Sequence, residues 1–290
     1  MLLRRPGDRS HPHEMVEQMT PFAAASVALG SGAWRQANAG FRAVAQQEND
    51  PGAYEGLAQA AWWLDDEQTC LKAREQAYRR YRELGDDRGA ARAAAALGYD
   101  ALLFGQGAGV ARGWLGRASD LIEPMSESPE HGWLAVRQAE IALAVDRDPT
   151  VVRARAERAL AIGRRQGDGD LEVVGMALCG LAQICAGDVG AGMSRLDTAV
   201  AAATGGDVVD LMWLGKVCCW LIVACQETRD LGRAADWCRR VEAMCVERDL
   251  APLFTVCRIQ YAALQVSQGT ALTHPKGPRS GSLPHGERSG

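Results

Sequence analysis

Lysine is almost missing from this sequence, occurring only at Lys72, Lys216 and Lys276, so that 29 of the 32 basic residues are arginine. The arginine bias reads as codon usage and not as a nucleic-acid footprint. The basic residues are interleaved with Asp and Glu, the net charge is −4, and no extended positive field is left to attract a polyanion. The densest basic runs, Arg79-Arg80-Tyr81-Arg82 and Arg239-Arg240, fall near expected helix ends, where cations complement the helix dipole.

Other absences narrow the function further. The nine cysteines contain no Cys-x-x-Cys pair, and no histidine accompanies their main cluster, which argues against a zinc site. Cys218 with Cys225 and Cys238 with Cys245 share helical faces, but tight packing of small, apolar thiols is favoured over a soft-metal site. The expectation is therefore no metal and no cofactor. Long hydrophobic runs are missing too: residues 217–225 are apolar but too few to span a bilayer. After Arg4-Arg5 the chain runs Pro6-Gly7-Asp8 with no apolar stretch behind it, so no secretory leader is expected. A reducing cytoplasm suits such thiols. No P-loop, Gly-x-Ser-x-Gly elbow or His-Glu-x-x-His occurs, and His131, the one histidine outside the terminal segments, reads as a surface residue of a first helical turn. The sequence offers no catalytic constellation, and an enzyme is not expected.

Sustained period-2 alternation is also lacking, and what replaces it is helical. Thr20-Pro21, Asp50-Pro51, Ser128-Pro129 and Asp148-Pro149 each join a capping oxygen to a ring suited to the first helical position. Pro252 suggests a fifth such start. Stops are expected at Gly85, Gly105, Gly167 and Gly187. Apolar residues between them recur at steps of three and four, as in Ala111, Leu115, Ala118, Ile122 and Met125, in Val189, Met193, Leu196 and Val200, and in Ala234, Cys238, Val241 and Cys245. These signals predict helices over 21–30, 33–48, 51–65, 67–84, 87–104, 108–125, 129–146, 149–166, 170–186, 189–203, 207–228, 231–248 and 252–268.

Short connections between helices of similar length favour a stack of antiparallel hairpins over a closed bundle. Tyr54, Leu57, Ala58 and Ala61, followed by Cys70 and Ala77, occupy the spacing of the tetratricopeptide pattern W-x2-L-G-x2-Y…A. Ala37-x3-Phe41 supplies that pattern's A-x3-F, and Gly180 stands at its glycine position. The predicted fold is an all-α, TPR-like superhelix of about six hairpins plus one unpaired terminal helix over residues 20–268. Residues 1–19 read as a disordered extension, with Met15 and Met19 as alternative starts. Residues 269–290, rich in Pro, Gly and Ser, read as a disordered tail.

Several stretches resemble the helical-repeat region of actinobacterial LuxR-type transcriptional regulators: residues 28–37, 55–65, 132–140, 213–225 and 230–238. The likeness runs from about residue 21 to 268. It implies a sensing or protein-interaction arm, normally joined to a DNA-reading helix-turn-helix. No such module follows Gly269, so a truncated or frameshifted regulator is expected, with no direct nucleic-acid binding by this chain and no membrane.

A protein or peptide partner is then expected in the concave groove. Glu55, Gln59 and Trp62 fall where the first helix of a hairpin faces that groove, and one tryptophan of Trp62-Trp63 is expected to fill the core. Trp133, Arg137 and Glu140 share a face that reads either as a groove contact or, in the favoured reading, as an ordinary solvated face. Phe254, Cys257, Tyr261 and Leu264 form an apolar strip on the last predicted helix, a candidate homodimer surface. The alternative to a scaffold is a small-molecule sensor or helical enzyme with a pocket inside the superhelix.

Overall fold

A computed structural model describes residues 19–247 and, beyond them, Ala262 alone. Both terminal segments and the strip Phe254, Cys257, Tyr261 and Leu264, with the helix predicted over 252–268, lie outside the described residues. Within them the chain is all-α and solenoid-like, with twelve α-helices and no strand.

Six hairpins follow one another: α1 (Pro21–Gly30) with α2 (Trp34–Glu48), α3 (Pro51–Trp63) with α4 (Glu67–Glu83), α5 (Asp87–Leu103) with α6 (Ala108–Ile122), α7 (Pro129–Ile141) with α8 (Pro149–Gln166), α9 (Gly169–Cys185) with α10 (Val189–Ala202), and α11 (Leu211–Thr228) with α12 (Leu231–Glu247). Each packs on its sequence neighbour. The first helices also touch along one side, α5 on α7, α7 on α9 and α9 on α11.

The starts behave as their capping residues dictate. Backbone N–H groups donate to Thr20 Oγ1, Asp50 Oδ2 and Asp148 Oδ1, each directly before a proline, and Pro129 likewise opens α7. Asp66, Asp86, Asp168, Asp188 and Asp210 cap further helices in the same way without a proline. All four expected glycine stops have positive φ, between 69° and 93°. Asn49, Asp65, Arg147 and Arg229 take the same left-handed conformation, which Asn and Asp tolerate but sequence does not announce for the two arginines.

Several predicted helices are shorter than expected, with α3 ending at Trp63 and α6 at Ile122. α7 gives way to a π turn, Ala142–Asp146. A second π turn, Ala203–Asp207, follows α10. Gly206 at φ 111° and extended Val208 then delay α11 from the expected residue 207 to Leu211, where Asp210 provides the cap.

Alanine makes the hairpins close. Ala37, Ala53, Ala58, Ala61, Ala77, Ala111, Ala118, Ala159 and Ala199 are fully buried, and at Gly180 an added Cβ would lie 2.8 Å from the carbonyl oxygen of Gly192 on the facing helix. The expected apolar faces of α6 and α12 are buried except at Met125 and Cys238, which are half-buried. Val189 is 41% exposed, however, so the stripe of α10 begins at Met193. On length and composition α11 is long and apolar enough to cross a membrane, because the helix extends past the apolar run visible in sequence. Ten of its residues are nonetheless buried against neighbouring helices.

Candidate functional site

The first helices of hairpins two to six converge on one cavity of about 420 Å³. Glu55 and Gln59 enter it from α3, Arg92 from α5, Glu130, Trp133 and Arg137 from α7, Asp170 from α9, and Met212 and Trp213 from α11. The cap residues Asp168 and Asp210 join them, and Arg74 of α4 is the single contribution from a second helix. The solenoid curls far enough to close one side. Gln59 Nε2 donates to Asp210 Oδ2 at 2.9 Å across 151 residues, and Trp62 packs against the core of the first hairpins as well as that of the last.

The cations of the site are already engaged. Arg92 grips Glu55 with two hydrogen bonds of 2.9 Å, while Tyr81 Oη donates to the same carboxylate at 2.7 Å. Arg74 Nε donates to Asp100 at 3.0 Å, an aspartate only 1% exposed. Arg137 Nη1 donates to Glu140 at 2.7 Å, and its guanidinium lies 4.6 Å from the Tyr99 ring centroid and 4.5 Å from that of Trp213. Behind it Lys216 pairs with the other oxygen of Glu140, with its ammonium 3.7 Å from the Tyr99 centroid. Burial pushes the Lys216 ammonium down to about 8, an effect that Glu140 partly offsets.

The aspartates are held differently. Asp168 accepts from the Leu171 N–H and from Trp133 Nε1, the latter at 2.9 Å. Asp170 accepts from the N–H groups of Val209 and Asp210, and Asp210 from Met212 N–H and Gln59. None of the three forms an ion pair among the described residues. Burial raises the pKa of Asp210 above the usual carboxylate value.

No family model and no curated protein matches the sequence.

Four of the six expected groove residues, Glu55, Gln59, Trp133 and Arg137, line the cavity together. Trp62 and Glu140 do not. Trp62 is half-buried packing, edge-on to Trp63 at 5.2 Å, and Trp63 in turn stacks on Trp34 at 4.5 Å. Glu140 lies beneath the wall at 4% exposure. The solvated-face reading of Arg137 and Glu140 is overturned, because both are buried and two aromatic rings sandwich the guanidinium.

His131 is also no surface residue. At 8% exposure its Nδ1 accepts from the Ser128 N–H and its Nε2 faces the Ile122 carbonyl oxygen at 2.9 Å, which fixes the neutral Nε2–H tautomer. Ser128, His131 and Glu130 thus sit together without forming a catalytic triad, since the serine hydroxyl donates to Glu130 at 2.6 Å and Ser128 is 3% exposed.

Sequence reasoning missed Arg74, Arg92, Glu130, Trp213, Lys216, Asp168, Asp170 and Asp210. The aspartates carried a signal only as helix punctuation. The cysteines fit packing: desolvation pushes the thiols of buried Cys225 and half-buried Cys238 up to about 12 and about 11, where thiolate is scarce at neutral pH. Among the described residues no His, Cys, Asp and Glu group is placed to hold a metal.

Proposed function

We propose that the chain is a TPR-like interaction scaffold that holds a partner polypeptide on its concave face, in the manner of the sensing or interaction arm of a LuxR-type regulator. The observation that carries this reading is the convergence of five successive first helices, α3, α5, α7, α9 and α11, on one polar and aromatic cavity. A repeat stack gains its binding surface in this way, by presenting equivalent helices along one concave side. The resemblance of residues 28–37, 55–65, 132–140, 213–225 and 230–238 supplies the regulator part of the proposal.

Selection of a displayed random dodecapeptide library tests the scaffold. Wild type should enrich related sequences, and Ala96→Trp, which fills the cavity from a half-buried lining position, should not. Equal enrichment by both proteins would contradict the proposal. The regulator part is tested by the DNA after the reading frame, where an encoded helix-turn-helix supports it and intergenic sequence contradicts it.

One observation favours a small-molecule sensor as the second reading. The Gln59–Asp210 closure leaves a cavity of a size that small ligands occupy. Saturation of the cavity by a small molecule, with no peptide enriched, would favour it.

A further inference from the structure

The cavity has a sign, and its lining fixes what can enter. Its walls and the layer directly beneath them hold seven carboxylates, those of Glu55, Glu130, Glu140, Asp100, Asp168, Asp170 and Asp210, against four cations, Arg74, Arg92, Arg137 and Lys216. The formal excess is three negative charges. Every one of the four cations already has a carboxylate partner, so no guanidinium or ammonium stands ready for an anion. The three aspartates instead receive only neutral donors: backbone N–H groups, an indole and an amide.

Beside them stands Trp133, half-buried and lining the cavity, stacked on Trp213 at 4.8 Å and oriented by its hydrogen bond to Asp168. A carboxylate wall next to an indole favours an organic cation, which gains Coulomb energy from one and ring-quadrupole attraction from the other. A carboxylate-bearing guest would meet the excess negative charge with no free cation to receive it.

We infer that the cavity takes a positively charged side chain, arginine or lysine, of a partner polypeptide as its anchor. The inference rests on the scaffold reading above and adds the chemistry of the partner. An extended segment lying along the inner helices would send this side chain between Trp133 and the aspartates.

The test resynthesises the peptides enriched by wild type, each also with citrulline, an uncharged isostere, in place of arginine and norleucine in place of lysine. Binding is compared for wild type and for Asp168→Asn with Asp210→Asn. Asparagine keeps a cap oxygen for the Leu171 and Met212 N–H groups but costs Trp133 Nε1 and Gln59 Nε2 their acceptors, so the neutral peptide twins isolate the charge, and circular dichroism verifies the fold. Enriched peptides should carry a basic residue, and either its neutralisation or the double substitution should weaken binding about tenfold or more. Enrichment of peptides without basic residues, or equal binding of the neutral twins, would overturn the anchor while leaving the scaffold standing. Failure of wild type to enrich any peptide over Ala96→Trp would remove the scaffold and the anchor together. Agmatine binding as tightly as the peptides would show a free small cation to be the ligand and would overturn the polypeptide source. The neutral twins keep the inference falsifiable even if the asparagine variant fails to fold.

Discussion

Lys216 sits with 11% of its side chain exposed, between Tyr99 and Trp213, and shares Glu140 with Arg137. Removing Lys216 leaves Glu140 its 2.7 Å bond to Arg137, whereas removing Glu140 strands two buried cations. We therefore expect Lys216→Met to keep or raise stability at neutral pH, and Glu140→Leu to lose about 3–5 kcal/mol in urea denaturation. The pH dependence has a definite sign. The folded pKa of Lys216, about 8, lies below its ordinary 10.5, so the unfolded chain binds the extra proton between these values. The cost of burying the ammonium is present in full below about pH 8 and is relieved as pH rises toward 10.5. Thiols with raised pKa values, such as those of Cys225 and Cys238, act in the opposite direction. The readout is thus the stability difference between wild type and Lys216→Met, in which wild type should gain on the variant across that window. A difference that is flat with pH would contradict the burial of the charge.

Helix packing makes its own prediction. Gly180 faces the backbone of α10, and a methyl group there would meet the Gly192 carbonyl at 2.8 Å and Leu196 Cγ at 3.1 Å. Alanine is the better helix former, so an exposed glycine would gain from the change. Gly180→Ala should instead lose about 1–3 kcal/mol through overpacking, measured by thermal or urea unfolding. A gain in stability would show that α9 and α10 have room to separate.

This scale is also where sequence was most informative. Proline after a capping oxygen marked Pro21, Pro51, Pro129 and Pro149 because both residues act within one turn. Glycine marked Gly85, Gly105, Gly167 and Gly187 because their left-handed φ is a local demand. Arg147 and Arg229 adopt the same conformation under tertiary constraint, and no local chemistry reveals it. The site was half legible for a similar reason. Glu55, Gln59, Trp133 and Arg137 follow from their register on first helices, but the burial of Glu140 depends on Lys216, 76 residues away. Asp168 and Asp210 cap α9 and α11, but no proline follows them and Asp210 falls inside the helix expected over 207–228, and only the curl of the stack brings them to one wall.

At the scale of the molecule, the curl is what turns a row of helices into a cavity. The curl is held across the ring by the Gln59–Asp210 hydrogen bond and by the packing of Trp62 and Trp63 against the core of the last hairpins. Removing these contacts with Gln59→Ala, Trp62→Ala and Trp63→Ala should enlarge the radius of gyration in small-angle scattering while leaving helical content unchanged. An unchanged radius would mean that the hairpin interfaces alone set the curvature. The claim that binding occurs on the inner helices is tested most directly by hydrogen–deuterium exchange with and without a peptide enriched by wild type. Added protection is predicted on α3, α5, α7, α9 and α11, with α6, α8 and α10 unchanged. Protection falling instead on α6, α8 and α10 would place the partner on the outer face and contradict the account.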